Sequence, residues 1–413
     1  MVYFADGLLV VEDGAVVEAG DAAALLPQLG DTPVTAYPGR IIVPGFIDCH
    51  VHFPQLGIVA SYGEQLLDWL TRYAFPEEAK FSDAGYANDI AGAFLDELLN
   101  NGTTTALVFG TVHAHSADAI LGAAEARGMR LIAGKVLMDR NCPGELRDTP
   151  ESAYDDSKSL IERWHGKGRL GYAITPRFAL TSSTEQLVAA GRLANEFPDV
   201  WIHTHLAENK AEVEAIATMF PDSRSYLDVY DRFDLLRERS VFAHCLHLDD
   251  VDRHCMAKKG GAVAFCPTSN LFLGSGLFDL AAMRAASVRV GLGTDVGGGT
   301  SLSLLRTASE AYKVLHLQDQ PLPPSRALYL ATLGAAEALS LDDRIGNFQS
   351  GKEADFIVLD PAGSSLSKRR TDIARSIDES LFAITMLGDE RHVAATYVAG
   401  ELAAGSAGEP VPA

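Results

Sequence analysis

The chain has few cysteines, few basic residues and no long apolar segment. Its 413 residues include only five cysteines, an odd number without C-x-x-C spacing, which argues against a disulfide framework and favours reduced thiols. Lysine and arginine total 34 against 55 aspartates and glutamates, so the formal net charge is −21. Because a phosphate backbone requires clustered basic residues, we expect no nucleic-acid partner.

Segments that would direct the chain to a membrane are also missing from the sequence. No apolar run approaches the roughly 20 residues needed to span a bilayer. The first residues, MVYFADGLLVVEDG, carry acids and differ from a secretory signal. We therefore expect a cytoplasmic protein with no membrane partner. Hydrophobic residues make up 47% of the chain, which is enough to bury a large core.

What the sequence does contain is a series of apolar segments that end in chemically useful side chains. PGFIDCHVHFPQ presents His50 and His52, which share one face if the segment is a strand. Two imidazoles at a strand end can form half of a zinc or iron site, although such a pair can also be structural or solvated. His205 ends VWIHTH, His244 ends SVFAH and Asp295 ends VRVGLGTD. Packing alone does not explain this repetition.

These segments belong to a set of eight predicted strands, counted from Ile47. Most of them are followed by a segment in which apolar residues have helical spacing. Apolar strands that alternate with helices indicate a parallel sheet covered on its outside. Eight such units with polar residues at the carboxyl ends predict an α/β fold, a TIM (β/α)8 barrel with its site at that end. The remaining strands are expected at 104–109, 131–137, 171–175 and 262–265.

Short β segments precede and follow the predicted barrel. LLVVEDGAVVEAG predicts a hairpin with its turn at Asp13 and Gly14, and strand patterns return at 354–360 and 392–403. Since neither group can bury a core alone, we expect the two groups to pair. We expect disorder only in the tail, 405–413. The predicted parts are an N-terminal β part (1–43), the barrel (44–345) and a C-terminal β part with its tail (346–413).

The motifs resemble those of the amidohydrolase superfamily of metal-dependent hydrolases, and within it the guanine deaminase family. PGFIDCHVH, HTHLAE, FAHC and GLGTD carry the wider resemblance, in this order. HVHFPQ, WLTRYAFP, GKVLMD, PRFAL and CPTSNLFLGSG carry the narrower one, and together they cover nearly the whole chain. The resemblance implies the conversion of guanine to xanthine and ammonia in purine catabolism. It also implies a homodimer and a small composite β-sandwich formed by the terminal segments.

The expected cofactor is one Zn²⁺ per chain, with Fe²⁺ as the alternative because both accept histidine and carboxylate ligands. Three neutral imidazoles and a carboxylate leave a position for water, whose pKa the metal would bring close to neutrality. A second metal bridged by a carboxylated Lys135 is not expected, since Lys135 does not lie at a strand end. His113 and His115 repeat the H-x-H spacing without partner ligands, and we interpret them as loop residues. The predicted metal ligands are His50, His52, His205 and Asp295.

The resemblance also implies three catalytic residues. Glu208 corresponds to the proton shuttle, although it could instead be a charge that stabilises the start of the next helix. His244 corresponds to the histidine that orients the hydroxide, with direct metal ligation as the alternative. Asp295 would both bind the metal and accept a proton. His203 shares the face of His205 and would support the site or ligate the metal.

A purine substrate needs polar groups that orient it. Gln55 offers a donor and an acceptor for a ring nitrogen and an amino group. The Arg177 guanidinium matches a carbonyl such as O6 of guanine, although a surface salt bridge is the alternative. Phe178 could stack on the ring, with Trp69 and Phe75 as walls of the pocket. Four residues from the metal and proton-transfer sets are also expected to contact the substrate, namely His52, His205, Glu208 and Asp295.

Two alternative functions stay open at this point. The same chemistry could act on a related heterocycle such as 8-oxoguanine, a pterin or an S-adenosyl nucleoside. A barrel without activity could serve as an interaction module, but the intact set of catalytic residue types argues against this. The chain lacks the H-x-E and P-C-x-x-C signature of the other zinc deaminase fold, which excludes that architecture.

Overall fold

The computed structural model describes residues 1–411, and the strands and helices alternate along most of this range. The strands are Gly7–Glu12 (β1), Ala15–Asp21 (β2), Val34–Ala36 (β3), Ile41–Pro44 (β4), Phe46–His52 (β5), Thr103–Phe109 (β6), Arg130–Gly134 (β7), Val136–Leu137 (β8), Leu170–Pro176 (β9), Trp201–Leu206 (β10), Ser240–His244 (β11), Ala262–Phe265 (β12), Arg289–Leu292 (β13), Phe356–Leu359 (β14), Val393–Val398 (β15), Glu401–Gly405 (β16) and Glu409–Val411 (β17).

The helices follow most of the barrel strands. They are Ala22–Leu25 (α1), Leu66–Trp69 (α2), Phe75–Ala79 (α3), Ala84–Asn100 (α4), Ala114–Ala126 (α5), Pro150–Trp164 (α6), Thr184–Glu196 (α7), Lys210–Met219 (α8), Tyr226–Arg232 (α9), Asp250–Lys259 (α10), Pro267–Phe272 (α11), Leu280–Ala285 (α12), Leu304–His316 (α13), Pro324–Ala331 (α14), Leu333–Ala338 (α15), Ser365–Thr371 (α16) and Ile377–Leu387 (α17). Among the described residues, no helix is long and apolar enough to cross a membrane.

Eight parallel strands form the predicted barrel, which confirms the fold class. Their order is β13-β12-β11-β10-β9-β7-β6-β5, and β8 pairs with β9 just beyond the end of β7. The first strand meets the last at their carboxyl ends. There the Asp295 amide donates to the His50 carbonyl at 2.9 Å, and the His52 amide donates to the Val296 carbonyl at 2.8 Å. These bonds bring two predicted metal-binding segments side by side.

The barrel strands are apolar on both faces because each face packs in a core. In β6, Ala106 and Val108 belong to one buried cluster and Leu107 to another. In β7, Leu131 belongs to the first of these clusters and Ile132 to the second. Successive strand residues point to opposite faces, so this alternation explains why the segments read as continuous apolar runs.

The terminal β segments pair with each other, as the sequence predicts. Asp13 and Gly14 have φ values of 50° and 77° and join β1 to β2 in the expected hairpin. Strand β4 pairs with β14 in a four-stranded antiparallel sheet, and β3 pairs with β17. The three-part division of the chain stays a prediction.

The prediction of a disordered tail, 405–413, is wrong for residue 405, which ends β16, and for residues 409–411. Residues 409–411 form β17, whose backbone pairs with β3. A three-residue strand has no periodicity to reveal it, and its partner lies more than 370 positions earlier in the chain. Residues 412 and 413 lie outside the described part of the chain.

An ion-pair network joins the C-terminal segment to the barrel. Glu353 accepts from Nε of Arg130 at 3.0 Å and from Nε of Arg169 at 2.8 Å, and Arg169 also pairs with Asp355. Burial opposes ionisation of Glu353, but the two arginines keep its pKa below its ordinary value. Arg130 begins β7 and Asp355 precedes β14, so the network holds the terminal sheet against the barrel.

We predict that Glu353→Ala destabilises the fold because it leaves two largely buried guanidinium groups short of a carboxylate. Breaking such a pair costs roughly 3 kcal/mol. For a chain of 413 residues this corresponds to a decrease in Tm of about 3 to 4 °C in a thermal melt. Glu125→Ala is the control, because its pair with Lys167 is exposed. Equal melting temperatures for the two variants would show that the network does not stabilise the fold.

Candidate active site

Four side chains meet at the carboxyl ends of β5, β10 and β13. Nε2 of His50 lies 3.0 Å and Nε2 of His52 lies 3.4 Å from Oδ1 of Asp295. Nε2 of His52 also lies 3.2 Å from Nε2 of His205. One ligand atom from each residue lies within 4.8 Å of the others. The structure therefore brings the four predicted metal ligands together.

The far-side nitrogens of His50 and His205 have partners that orient these rings, whereas Nδ1 of His52 has no hydrogen-bond partner among the described residues. Nδ1 of His205 donates to the Arg177 carbonyl at 2.7 Å, and Nδ1 of His50 lies 2.7 Å from Nε2 of His203. Burial lowers the pKa of His50, brings that of His52 to about 4 and holds that of His205 well below its ordinary value. Neutral imidazoles with Nδ1 engaged can present Nε2 to a metal. His203 lies behind His50 and outside the four-residue cluster.

The donor set fits a divalent cation. Burial opposes the charge of Asp295, but His50 and His52 hold its pKa well below the ordinary value, so the carboxylate is ionised. Ser269 also donates a hydrogen bond to this carboxylate. The facing Nε2 atoms of His52 and His205 need a proton or a cation between them. Three neutral nitrogens and one carboxylate are ligands that zinc and iron accept.

Glu208 and His244 adjoin the cluster. Nε2 of His244 lies 3.4 Å from Oε2 of Glu208 and 3.7 Å from Oδ2 of Asp295. Burial raises the pKa of Glu208 to about 8, and the charge of Asp295 adds to this effect. A carboxyl group with a pKa near neutrality can accept and release a proton at physiological pH. Asn209 provides the N-cap of α8, so the helix start does not depend on the Glu208 charge.

Three polar residues that the sequence analysis did not select hold these two groups. Asn270 Oδ1 lies 2.8 Å from Nδ1 of His244, and Ser275 Oγ donates to Oε1 of Glu208 at 3.1 Å. The Glu208 amide donates to Oε2 of Glu212 at 3.0 Å. Asn270 and Ser275 belong to CPTSNLFLGSG, which was recognised only as a family motif. Its small polar residues directly after a buried strand were the available signal.

The backbone turns sharply where the strands deliver these groups. His244 has a φ of 70°, Asp295 of 50° and Ala207 of 49°, all in the left-handed region. Non-glycine residues in this region are strained by about 1 to 3 kcal/mol each, and such strain concentrates at functional sites. The three turns redirect the chain at the carboxyl ends of β10, β11 and β13, beside the cluster.

A buried pocket opens onto the cluster. Its walls include the predicted substrate residues Gln55, Arg177 and Phe178, and also Trp69. Phe75 instead lies behind the pocket, with its ring 5.3 Å from Cζ of Arg177. The wall is completed by His52, Leu66, Leu70, His205, Glu208, His244, Leu273, Asp295 and Gly298. The pocket therefore joins an apolar wall to the polar groups expected to read a purine.

Comparison with known proteins agrees with this geometry. The model of the Amidohydrolase family matches residues 41–403. The chain belongs to the amidohydrolase family. Guanine deaminase of Escherichia coli (strain K12) is 51% identical over 401 residues, which cover 97% of this chain and 91% of that protein.

Solved structures give the same picture of this amidohydrolase. The E. coli guanine deaminase structure matches with a TM-score of 0.94 over 96% of this chain and 92% of that chain. A guanine deaminase from C. acetobutylicum, with guanine bound in its active site, has a TM-score of 0.89 at 28% identity. That match covers 95% of this chain and 94% of the other. The resemblance inferred from the motifs is confirmed.

The amidohydrolase site contains a buried acid that the sequence analysis missed. Glu78 Oε2 accepts from Nη1 of Arg177 at 2.6 Å, and Glu78 Oε1 accepts from Nε2 of Gln55 at 2.8 Å. Arg177 is therefore not in a surface salt bridge, which was the alternative considered for it. The signal available was the acidic pair that follows the apolar WLTRYAFP segment.

Other candidate ligands lie outside the cluster. Lys135 is buried and pairs with Asp148 at 2.6 Å, so it is already neutralised. His115 contacts the Phe81 carbonyl at 2.7 Å, and its ring stacks on that of His113. Cys266 lies near His244 and Asp295, but burial raises the pKa of its thiol well above the ordinary value. A protonated thiol is a poor metal ligand.

We predict that His203→Leu weakens metal binding by about 10- to 100-fold, because it removes the partner that orients His50. The measurement is competition with a chelator of known affinity. His113→Leu is the matched control and should bind the metal as the wild type does. An unchanged affinity in His203→Leu would show that His203 only fills space.

Proposed function

We propose that this amidohydrolase hydrolyses guanine to xanthine and ammonia. The observation that carries the proposal is one buried pocket in which the metal-binding cluster adjoins a proton-transfer pair and a guanidinium. Relatives named guanine deaminase match nearly the whole chain, one of them with guanine bound. The reaction breaks the C2–N bond of guanine and forms a C2–O bond with water, and the amino group leaves as ammonia.

The proposed cofactor is one Zn²⁺ per chain, with Fe²⁺ as the alternative. His50, His52, His205 and Asp295 would hold it, since their donor atoms face one point. A divalent cation there would act as a Lewis acid and lower the pKa of a water molecule.

Glu208 is the proposed proton shuttle. Its carboxylate lies in the pocket beside His244, and Ser275 fixes one of its oxygens. It would take a proton from the attacking water and pass it to N3 of the purine. A second transfer to the departing amino group would release ammonia. A pKa of about 8 in the buried site suits a group that must accept and then release a proton.

His244 and Asp295 are proposed to hold the attacking water. Asn270 engages Nδ1 of His244, which leaves Nε2 directed toward Glu208 and Asp295. A water molecule beside these groups could donate one hydrogen bond to a carboxylate and the other to Nε2. His244 Nε2 lies 3.4 Å from Oε2 of Glu208 and 3.7 Å from Oδ2 of Asp295, so one water placed beside the three atoms could reach all of them.

The purine is proposed to lie against Phe178 with its O6 toward Arg177 and a ring nitrogen toward Gln55. These three side chains line the pocket. Contacts to His52, His205, Glu208 and Asp295 would hold C2 over the cluster. A guanidinium that pairs with a carbonyl would be left unsatisfied opposite an amino group, which favours guanine over adenine.

The wider setting also belongs to the proposal. We infer a cytoplasmic homodimer that acts in purine catabolism, without a nucleic-acid or membrane partner. A related heterocycle such as 8-oxoguanine, a pterin or an S-adenosyl nucleoside is the alternative substrate.

We predict that the zinc-loaded protein releases ammonia from guanine far faster than from adenine. The mismatch between Arg177 and the 6-amino group should lower kcat/KM by up to about 10⁴-fold. The measurement is an ammonia-release assay over guanine, adenine, 8-oxoguanine, pterins and aminopyrimidines. Faster turnover of any other compound in the panel would replace guanine as the substrate.

We predict that Glu208→Gln lowers kcat by roughly 10²- to 10⁴-fold, because the amide keeps the shape but cannot transfer the proton. Metal content and guanine binding, measured by elemental analysis and calorimetry, should stay close to the wild type. Glu214→Gln, on the exposed side of α8, is the control. Near-normal turnover in Glu208→Gln would assign proton transfer to another residue, with Asp295 the first to test.

A further inference from the structure

We propose that Glu78 is a positioning residue that sets substrate specificity. It holds Arg177 and Gln55 in the orientations in which they can form hydrogen bonds with the substrate. The proposal deepens the proposed function and rests on it. Glu78 is 1% exposed and belongs to α3, whereas Gln55 follows β5 and Arg177 follows β9. Its single carboxylate therefore connects two substrate-reading side chains that come from different parts of the barrel.

The hydrogen bonds leave only one orientation for the Gln55 amide. Gln55 Oε1 accepts from the Gly297 amide at 3.0 Å, and Nε2 donates to Oε1 of Glu78 at 2.8 Å. A backbone N–H can only donate and a carboxylate can only accept, so a flipped amide would face two mismatches. One N–H of Nε2 and one lone pair of Oε1 then remain for the substrate.

Arg177 is held from two sides by the same short helix. Glu78 Oε2 accepts from Nη1 at 2.6 Å, and the Phe75 ring lies 5.3 Å from Cζ. Both charged side chains are at most 3% exposed, so neither can exchange its partner for bulk water. The guanidinium fork is rigid, and fixing Nη1 also fixes the direction of its other donors.

A merely structural ion pair would not need this arrangement. Glu77, the neighbouring acid, is also buried but pairs with Lys80 at 2.6 Å and Tyr86 at 2.5 Å. Its partners lie on the outer side of the segment and do not line the pocket. Of the two adjacent acids, Glu78 is the one whose partners, Gln55 and Arg177, both line the pocket. Glu77→Gln is thus a matched control.

The test is Glu78→Gln, whose side-chain amide would direct an N–H toward a donor and leave Arg177 without a counter-charge. We expect KM for guanine to rise roughly tenfold or more while kcat changes by less than about threefold. This is the pattern expected when a mutation removes an interaction that is equally strong in the bound substrate and in the transition state. Melting temperature and metal content should match those of Glu77→Gln.

Ligand binding distinguishes positioning from a general loss of structure. Calorimetry on the metal-loaded protein would compare hypoxanthine, which keeps the 6-oxo group, with 2-aminopurine, which lacks it. Glu78→Gln should weaken hypoxanthine binding by about fivefold more than 2-aminopurine binding. Ammonia release from guanine by the wild type tests the proposed function separately, because the binding measurements do not require turnover.

A second variant keeps the proposal open to refutation if Glu78→Gln does not fold. Glu78→Asp retains the charge but cannot reach both partners, and the same selective loss for hypoxanthine is expected. Equal weakening of both ligands, or no weakening, would overturn the proposal. Failure of both variants to fold would also overturn it, by assigning Glu78 to the fold alone.

Discussion

The site depends on the closure of the barrel between its first and last strands. Two backbone hydrogen bonds, from Asp295 to His50 and from His52 to Val296, join the carboxyl ends of β5 and β13. Because these strands lie at opposite ends of the barrel sequence, closure alone brings the aspartate to the histidine pair. His205 then reaches the same point from β10. The metal-binding geometry is thus a property of the closed sheet.

Burial sets the protonation of the groups that closure brings together. It lowers the pKa of the three cluster histidines and raises that of Glu208. The imidazoles are consequently neutral and available as ligands, whereas the glutamate can carry a proton near neutral pH. Only Asp295 stays ionised against its own burial, because His50 and His52 stabilise its charge. Burial in the same pocket therefore keeps the metal-binding imidazoles neutral and gives the neighbouring Glu208 a pKa suited to proton transfer.

Two loops that follow barrel strands carry residues that orient side chains of the site. The segment after β12 contributes Asn270 and Ser275, which contact His244 and Glu208. The segment after β5 contains a π-helical turn, Leu70–Ala74, and leads into the short helix that carries Glu78. Such turns are frequent at functional sites. The barrel sets the positions of the reacting groups, and these two loops orient His244, Glu208, Gln55 and Arg177.

The sequence by itself determined the barrel, the hairpin at Asp13 and Gly14, and the strand ends at His50 and His52. Each of these rests on local periodicity or turn chemistry, which neighbouring residues encode. Only the tertiary structure decided the partners of Glu78 and the pairing of residues 409–411. Those contacts join positions far apart in the chain, where no local pattern shows which acid meets which arginine or which edge strand is free. The closed barrel brings Gln55 and Arg177 to Glu78, whereas residues 409–411 pair with β3 in a separate sheet outside the barrel.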